Sequence, residues 1–446
     1  MHSKYSLSPH VILRFEPQYY GSYSAFNYKT VKSQTLTAEE IRVLKYIQTK
    51  PAVSQEITQE TNMNEKGCER FLKEMQKQGF VQINTQPTAS APQTQVNPDF
   101  YSRFPIPFLS APATIDFFIT SRCNLHCAHC YADKKEHQAS NYPLTAIEAV
   151  FDQLEQLGVL EVRISGGEPL LHKGILQILG LMGKKRFRKI LLTNGTLLTE
   201  ETVMALKDSG ITPTISLDDC IPEAHDQFRG GTGAHARTIN GLALLQKHGV
   251  EYGINSCLNK NNLNRYQDII NLCIKYGAAR ITLLDLKPTG RMRNNTQWMP
   301  THEEYSALLK KLFVARAKNR KIDVSVDTFL HCYPMQESVA LVKKGIVSCR
   351  AGVSRLSIDS DGSIYPCNFV VGDPRWVMGN LKEQSLEQIW FSQKWLFFRG
   401  QTTLKDLKTC GDCKKRKDCV DLYCRLLPYE AVGDEYGVSQ RCQPKI

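Results

Sequence analysis

Between residues 113 and 290 the chain changes its hydrophobic period again and again. ATIDFFIT, VLEVRISGG, RKILLTNG, ITPTISLDD, EYGINSCLNK and ARITLLDLKP are apolar runs of strand length. Between them lie LTAIEAVFDQLEQLG, GILQILGLMGKK, TEETVMALKDSG, ARTINGLALLQKHG and NRYQDIINLCIKYG, with apolar residues at helical spacing and mostly a glycine at the end. Strands joined by helical crossovers pair in parallel and must be covered by those helices, so the fold class is α/β. A partial (β/α)6 barrel resembling a TIM barrel is the expected architecture over 113–330, with working loops after the strand C-termini. An open doubly wound sheet is the alternative. Its glycine fingerprint after the first strand is missing, because the loop there holds cysteines instead.

The flanks read differently. Residues 1–90 form a separate α+β module. HVILRF and GSYSAFNY suggest a strand pair, TAEEIRVLKYIQ a helix with Thr37 and Glu40 as a capping box, and SQEITQETN and EKGCERFLKEMQKQG two more helices before the strand FVQIN. That order is winged-helix-like. NTQPTASAPQTQVNPDF has no period, and a linker is assigned to 91–112. From 331 to 446 the alternation stops. SRLSIDSDGSIYPC reads as a hairpin with its turn at DG, and the remainder is loop-like and rich in cysteine.

The chain has 15 cysteines, seven of them between Cys349 and Cys442. It shows no secretory signal and no apolar run long enough to span a bilayer. A cytoplasmic location with no membrane partner follows, and reduced thiols there point to metal or iron–sulfur ligation. The net charge is +12 and the pI about 8.9. This leaves plain solubility and attraction to an acidic partner in balance, with nucleic acid less favoured.

CNLHCAHC, residues 123–130, places Cys123, Cys127 and Cys130 in the loop after the first barrel strand. Three thiolates at gaps of three and two residues leave one position of a metal centre open. A zinc site is the plain alternative. C-x3-C-x2-C followed by an aromatic residue, Tyr131, resembles the radical S-adenosylmethionine (SAM) enzymes. The resemblance implies a 4Fe-4S cluster whose open iron binds SAM, reductive cleavage to a 5′-deoxyadenosyl radical, and hydrogen abstraction from a substrate. It also implies a one-electron donor such as flavodoxin or ferredoxin. Further expectations follow residue by residue. GGEP places Gly166, Gly167 and Glu168 against the SAM amino group, Ser216 and Asn255 lie near the cofactor, and the Arg229 guanidinium meets the SAM carboxylate. An ion pair is the structural alternative for Arg229.

The second resemblance covers about 349–442. C-x12-G-x4-C (Cys349, Gly362, Cys367) is followed by Cys410, Cys413, Cys419, Cys424 and Cys442 at spacings x2, x5, x4 and x17. This is similar to the SPASM extension of radical enzymes that modify peptides, except for x4 where x3 is usual. It implies two auxiliary 4Fe-4S clusters. Cys349, Cys367 and Cys424 would hold the nearer one, with Cys332 available as a fourth ligand, and Cys410, Cys413, Cys419 and Cys442 the farther one. One or two structural zinc sites are the alternative. Cys68, Cys220, Cys257 and Cys273 are expected to be buried inert thiols.

With such a body behind it, the N-terminal module resembles the leader-recognition domains of peptide maturases, and the partner is a precursor peptide with a leader. The expected product is a thioether from a cysteine sulfur to a carbon of another residue. Carbon–carbon cross-linking and formylglycine-type oxidation are alternatives within radical chemistry, and a DNA-binding iron–sulfur sensor is the one outside it. No residue is assigned as a general base.

Overall fold

In a computed structural model the described residues are 4–16, 22–61, 63–83, 108–132, 140–301, 303–305, 307, 308, 311, 312, 314, 321–327, 350–400, 413 and 426. The N-terminal module contains a meander of β2 (Val11–Glu16), β3 (Ser22–Asn27) and β4 (Lys32–Leu36). Helices α1 (Ala38–Thr49), α2 (Ser54–Thr61) and α3 (Glu65–Lys77) follow, and β5 (Val81–Ile83) returns to pair with β1 (Tyr5–Leu7). Thr37 and Glu40 form the capping box that starts α1. Leu44, Ile47, Leu72 and Phe80 fill a core of the module's own.

The barrel strands are β6 (Thr114–Thr120), β7 (Glu161–Gly166), β8 (Arg188–Thr193), β9 (Thr212–Ser216), β10 (Gly253–Leu258) and β11 (Arg280–Asp285), each hydrogen-bonded in parallel to the next. The sheet runs beyond these six. β12 (Asp323–Asp327) continues it in parallel beside β11. At the other edge β13 (Arg355–Ile358) pairs in parallel with β6, and β14 (Ser363–Tyr365) and β15 (Gly379–Asn380) add antiparallel strands. The ten strands lie in the order β12-β11-β10-β9-β8-β7-β6-β13-β14-β15. The hairpin at DG therefore exists, but it extends the barrel sheet instead of standing in a body apart. Among the described residues no bond joins β12 to β15, so the barrel stays open on that side.

The end of the assigned linker is packed. Phe108 and Ala111 are fully buried, and Leu109 N–H donates to the Val353 carbonyl. Arg399, also fully buried, lies over Phe108 (3.6 Å from its ring centre), Trp390 (4.6 Å) and Trp395 (5.4 Å) and donates to the Gly352 carbonyl. Cation–π contact supplies the attraction that water would otherwise give a buried guanidinium. Nearby, Arg14 on β2 donates to the Ala111 carbonyl (2.7 Å) and pairs with Glu16 (2.7 Å), whose other oxygen accepts the Ser110 N–H. This buried pair fixes the N-terminal module to the barrel. Burial pushes the Glu16 carboxyl up, against the pull of Arg14. Among the described residues no helix is long and apolar enough to cross a membrane.

Candidate functional site

Strand β6 delivers the cysteine loop to the C-terminal rim of the barrel, and the neighbouring strand ends grip it by backbone. Gly167 N–H donates to the Thr120 carbonyl and Glu168 N–H to the Arg122 carbonyl. On the other flank Arg291 N–H donates to the Cys130 carbonyl, and Ala128 N–H to the Phe228 carbonyl. Two of these contacts are closer than any side chain allows. A Cβ on Gly167 would lie 2.2 Å from the Arg122 carbonyl oxygen, and one on Gly290 2.2 Å from that of Cys130. Gly290 also sits at φ +55°, a conformation in which glycine has no steric cost. TNGT after β8 adds side-chain bonds: Asn194 donates to Asn124, and Asn124 to Thr196, both at 2.9 Å.

A cavity of about 690 Å³ opens inside this rim. Cys123, Cys127 and Cys130 line it, as do Gly166, Gly167 and Tyr131. Ser216 at the end of β9, Asn255 on β10 and Arg229 complete the expected set on its wall. Glu168 is not on that wall. Its carboxylate turns inward and accepts bonds from Leu170 N–H, Thr193 Oγ1 and Asn194 N–H, so it ties β7 to β8. Burial pushes its carboxyl up, and those three donors oppose the rise. Arg229 lines the cavity and also makes an ion pair. Its Nε donates to Asp218 at 2.5 Å, and its Nη1 stands 3.9 Å from Cys127 Sγ.

Asp218 is the hub of this wall. Burial alone would raise its carboxyl, but the Arg229 guanidinium, His129 and His225 together outweigh that and hold it below the usual carboxylate range. Its other oxygen accepts the Cys257 N–H (2.8 Å), and its own N–H donates to His225 Nδ1 (3.2 Å). Burial pushes His225 down to about 4 and His129, stacked on Phe228, down to about 3, so both rings are neutral near pH 7. For His225 the folded value lies below the unfolded value of roughly 6.5. The unfolded chain therefore takes up the proton first, and stability falls as pH drops from about 6.5 to about 4. The loss should approach on the order of 3 kcal/mol. Urea titrations at pH 7 and pH 5 should show a smaller acid penalty for His225→Asn than for the natural chain.

The thiols fit a sulfur-held iron–sulfur group. Burial lifts the Cys130 thiol, against the pull of Arg291. A soft metal that takes thiolates would replace that proton. Among the described residues no three His, Cys, Asp or Glu side chains close on one point as a single-ion site requires. Thiolates that each hold a different iron of a cluster need no such convergence. Cys68, Cys257 and Cys273 are buried and Cys220 half-buried, and Cys257 also lines the cavity. Of the C-terminal set, Cys367 is buried and Cys413 half-buried. Cys332, Cys349, Cys410, Cys419, Cys424 and Cys442 lie outside the described residues.

Comparison with known proteins finds the same two parts. The radical SAM superfamily matches residues 117–273, and the SPASM iron–sulfur cluster-binding domain matches 349–414. An AdoMet-dependent heme synthase of Methanosarcina barkeri is 30% identical over 357 residues, covering 76% of this chain and 98% of its own. The mycofactocin maturase MftC of Mycobacterium ulcerans is 28% identical, covering 70% and 82%. Among solved structures, SuiB of Streptococcus suis bound to the precursor peptide SuiA superposes with a TM-score of 0.75 at 19% identity, covering 98% of this chain and all of that one.

Proposed function

The chain belongs to the radical SAM superfamily, with a SPASM iron–sulfur domain behind its barrel, and on that footing we propose that it matures a ribosomally made precursor peptide. One observation carries this reading. The fold shared with peptide-bound SuiB extends over 98% of the chain, N-terminal module included. The kinship with MftC, named a maturase, supports it. In this reading the module captures a leader. A peptide can add a strand beside the meander, where β4 pairs only with β3 among the described residues. The positive net charge favours an acidic leader, by an attraction that salt weakens.

The cofactors of the family are 4Fe-4S clusters and SAM. Cys123, Cys127 and Cys130 would hold the SAM-binding cluster, and the C-terminal cysteines the auxiliary ones. When bound, the cluster and SAM supply a hydrogen-abstracting radical. The protein's own part is placement. Backbone of Gly166 and Gly167 and the side chains of Ser216 and Asn255 offer polar contacts on the wall. Asp218 keeps Arg229 charged and fixed beside Cys127. Phe228 and the neutral His129 shut water away behind the loop.

The finer proposal is a thioether between a cysteine sulfur and a carbon of another residue, drawn from the resemblance of the motifs to thioether-forming maturases. Reduced protein and SAM, incubated with any short cysteine-containing peptide found to be encoded beside this chain, test it by mass spectrometry. A thioether removes two hydrogen atoms and one alkylatable thiol. A peptide lighter by two hydrogens with its thiol intact means another cross-link, and an unmodified peptide overturns the maturase reading. Removing residues 1–90 should weaken leader binding more than it slows uncoupled SAM cleavage. The 30% identity to heme synthases favours a haem-forming reaction as the second reading, which that same unmodified peptide would leave standing.

A further inference from the structure

The cavity does not end below the cysteine loop. Arg188, Thr212, Arg280 and Arg355 line it too, and they are the first residues of β8, β9, β11 and β13. It therefore runs nearly the length of the barrel. Branched apolar side chains fill that space in a closed (β/α)8 barrel. Here Thr212, Thr214, Ser216, Gly253, Asn255 and Ser325 stand on the wall, and they are too small to close it.

The lower half is charged. Arg163 lies between Val162 and Ile164, both fully buried in the apolar core, so its side chain takes the opposite face of β7 and enters the barrel. Arg163, Arg188 and Arg355 share two buried carboxylates. Glu161 meets Arg163 at 2.6 Å and Arg188 at 2.7 Å, and Asp116 lies 3.4 Å from Arg355 and 4.0 Å from Arg163. Burial would raise the Glu161 carboxyl, but Arg163, Arg188 and Arg355 together hold it low. A fourth arginine, Arg280, pairs among the described residues with Asp323 alone (3.4 Å), whose side chain is 63% exposed. Arg350 and the exposed Glu251, also on the wall, are of opposite sign. Positive charge is thus in excess. Burial, followed by repulsion from Arg280 and Arg163, lowers the Arg188 pKa against the attraction of Glu161.

These guanidiniums have room to bind. The side chains of Arg280 and Arg355 are 42% and 19% exposed. In both, only Nε is sealed off, and the two Nη atoms keep accessible surface and make no hydrogen bond among the described residues. A fork of donors without an acceptor suits a carboxylate, which takes two of them side by side. The chamber also adjoins the reaction site, since Asp116 and Arg355 act through space on the hydroxyl of Tyr131, the residue after Cys130. Arg163 lies three residues before Gly166 on β7, about 10 Å below the rim.

We propose that this lower chamber is a pocket for a carboxylate of the substrate, held by Arg188, Arg280 and Arg355 beneath the cysteine loop. It rests on the peptide-maturase reading in that the carboxylate is a Glu or Asp side chain of the peptide. Extended residues advance about 3.3–3.6 Å each, so that side chain lies about three positions from the residue that reacts.

Arginine-selective labelling with phenylglyoxal, mapped by mass spectrometry on the reconstituted full chain with SAM, tests it. Arg188, Arg280 and Arg355 should label. Glutarate at about ten times its Kd should slow that labelling about tenfold, and glutaramide should not. Neither should protect Arg237, an exposed arginine outside the cavity. Arg280→Gln should raise the glutarate concentration needed about tenfold. If that variant does not fold, the map of the natural chain decides alone. If the three arginines do not label, or glutarate protects none of them or all arginines alike, the pocket is wrong whatever the substrate is. Two capped peptides decide the source, one with Cys and Glu about three positions apart and the other its Gln twin. Protection by the Glu peptide and not its twin supports the proposal in full. Protection by a propionate-bearing porphyrin but not its ester, with none from the Glu peptide, keeps the pocket and overturns the peptide reading. Protection by glutarate alone means an adventitious anion only and overturns the substrate role.

Discussion

Replacing Cys123, Cys127 and Cys130 together with alanine should reduce SAM cleavage to the background of enzyme-free reductant while leaving the rest of the molecule folded. The two halves of that expectation have different causes. Cleavage needs a cluster with an open iron, and these thiols line the one cavity whose wall also carries Ser216, Arg229 and Asn255. The loop's position, by contrast, comes from backbone bonds to Gly167, Glu168, Phe228 and Arg291 and from the Asn124 side chain, none of which the substitution touches. Anaerobically reconstituted natural protein should hold about twelve irons and the triple variant about eight, four per cluster. Iron analysis and 5′-deoxyadenosine chromatography on the same samples check both. Cleavage that survives in the variant would refute the assignment of the loop. A natural protein that saturates near four irons would instead remove the C-terminal clusters and spare the loop.

The barrel was legible because each of its first six strands is an apolar run, and the first five are each followed by a helix with a clear face. β12 was not. DVSVD is short, with buried Val324 and Val326 as its only apolar residues, and local pattern cannot separate it from a loop. The partner of β13 was hidden for another reason. The DG turn announces the local pairing with β14, but the parallel bond to β6 spans some 240 residues, and no local signal encodes it.

At the site, residue type announced chemistry but not every partner. The Glu168 side chain is committed to Thr193 and Asn194, and Arg229, on the cavity wall, also pairs with Asp218. Cys257 could have been found by counting. Residues two apart on a strand share a face, so an inward Asn255 implies an inward Cys257 on β10.

Gly167→Ala should lose SAM binding by about 100-fold and lower global stability by about 1–3 kcal/mol, a larger effect on binding than most substitutions on the cavity wall could produce. The added methyl would sit 2.2 Å from the Arg122 carbonyl oxygen and 2.5 Å from its carbon, both backbone atoms, so no rotamer change relieves it. Either the strand end or the cysteine loop must retreat by about 1 Å, breaking the bonds from Gly167 to Thr120 and from Glu168 to Arg122. Both sides of the SAM position then move apart, since Cys123 is one residue beyond Arg122. Gly180→Ala is the matched control. It lies inside the helix Ile175–Gly183 with nothing within 4 Å of its Cβ position, so the same chemical change there should stabilise the protein by about 0.5–1 kcal/mol and leave SAM affinity alone. Equilibrium dialysis with labelled SAM on reconstituted protein, beside thermal melts of both variants, separates the outcomes. Unchanged affinity in Gly167→Ala would mean that the loop is not clamped where the cofactor binds, and the argument that glycine at this strand end serves the cysteine loop would fail.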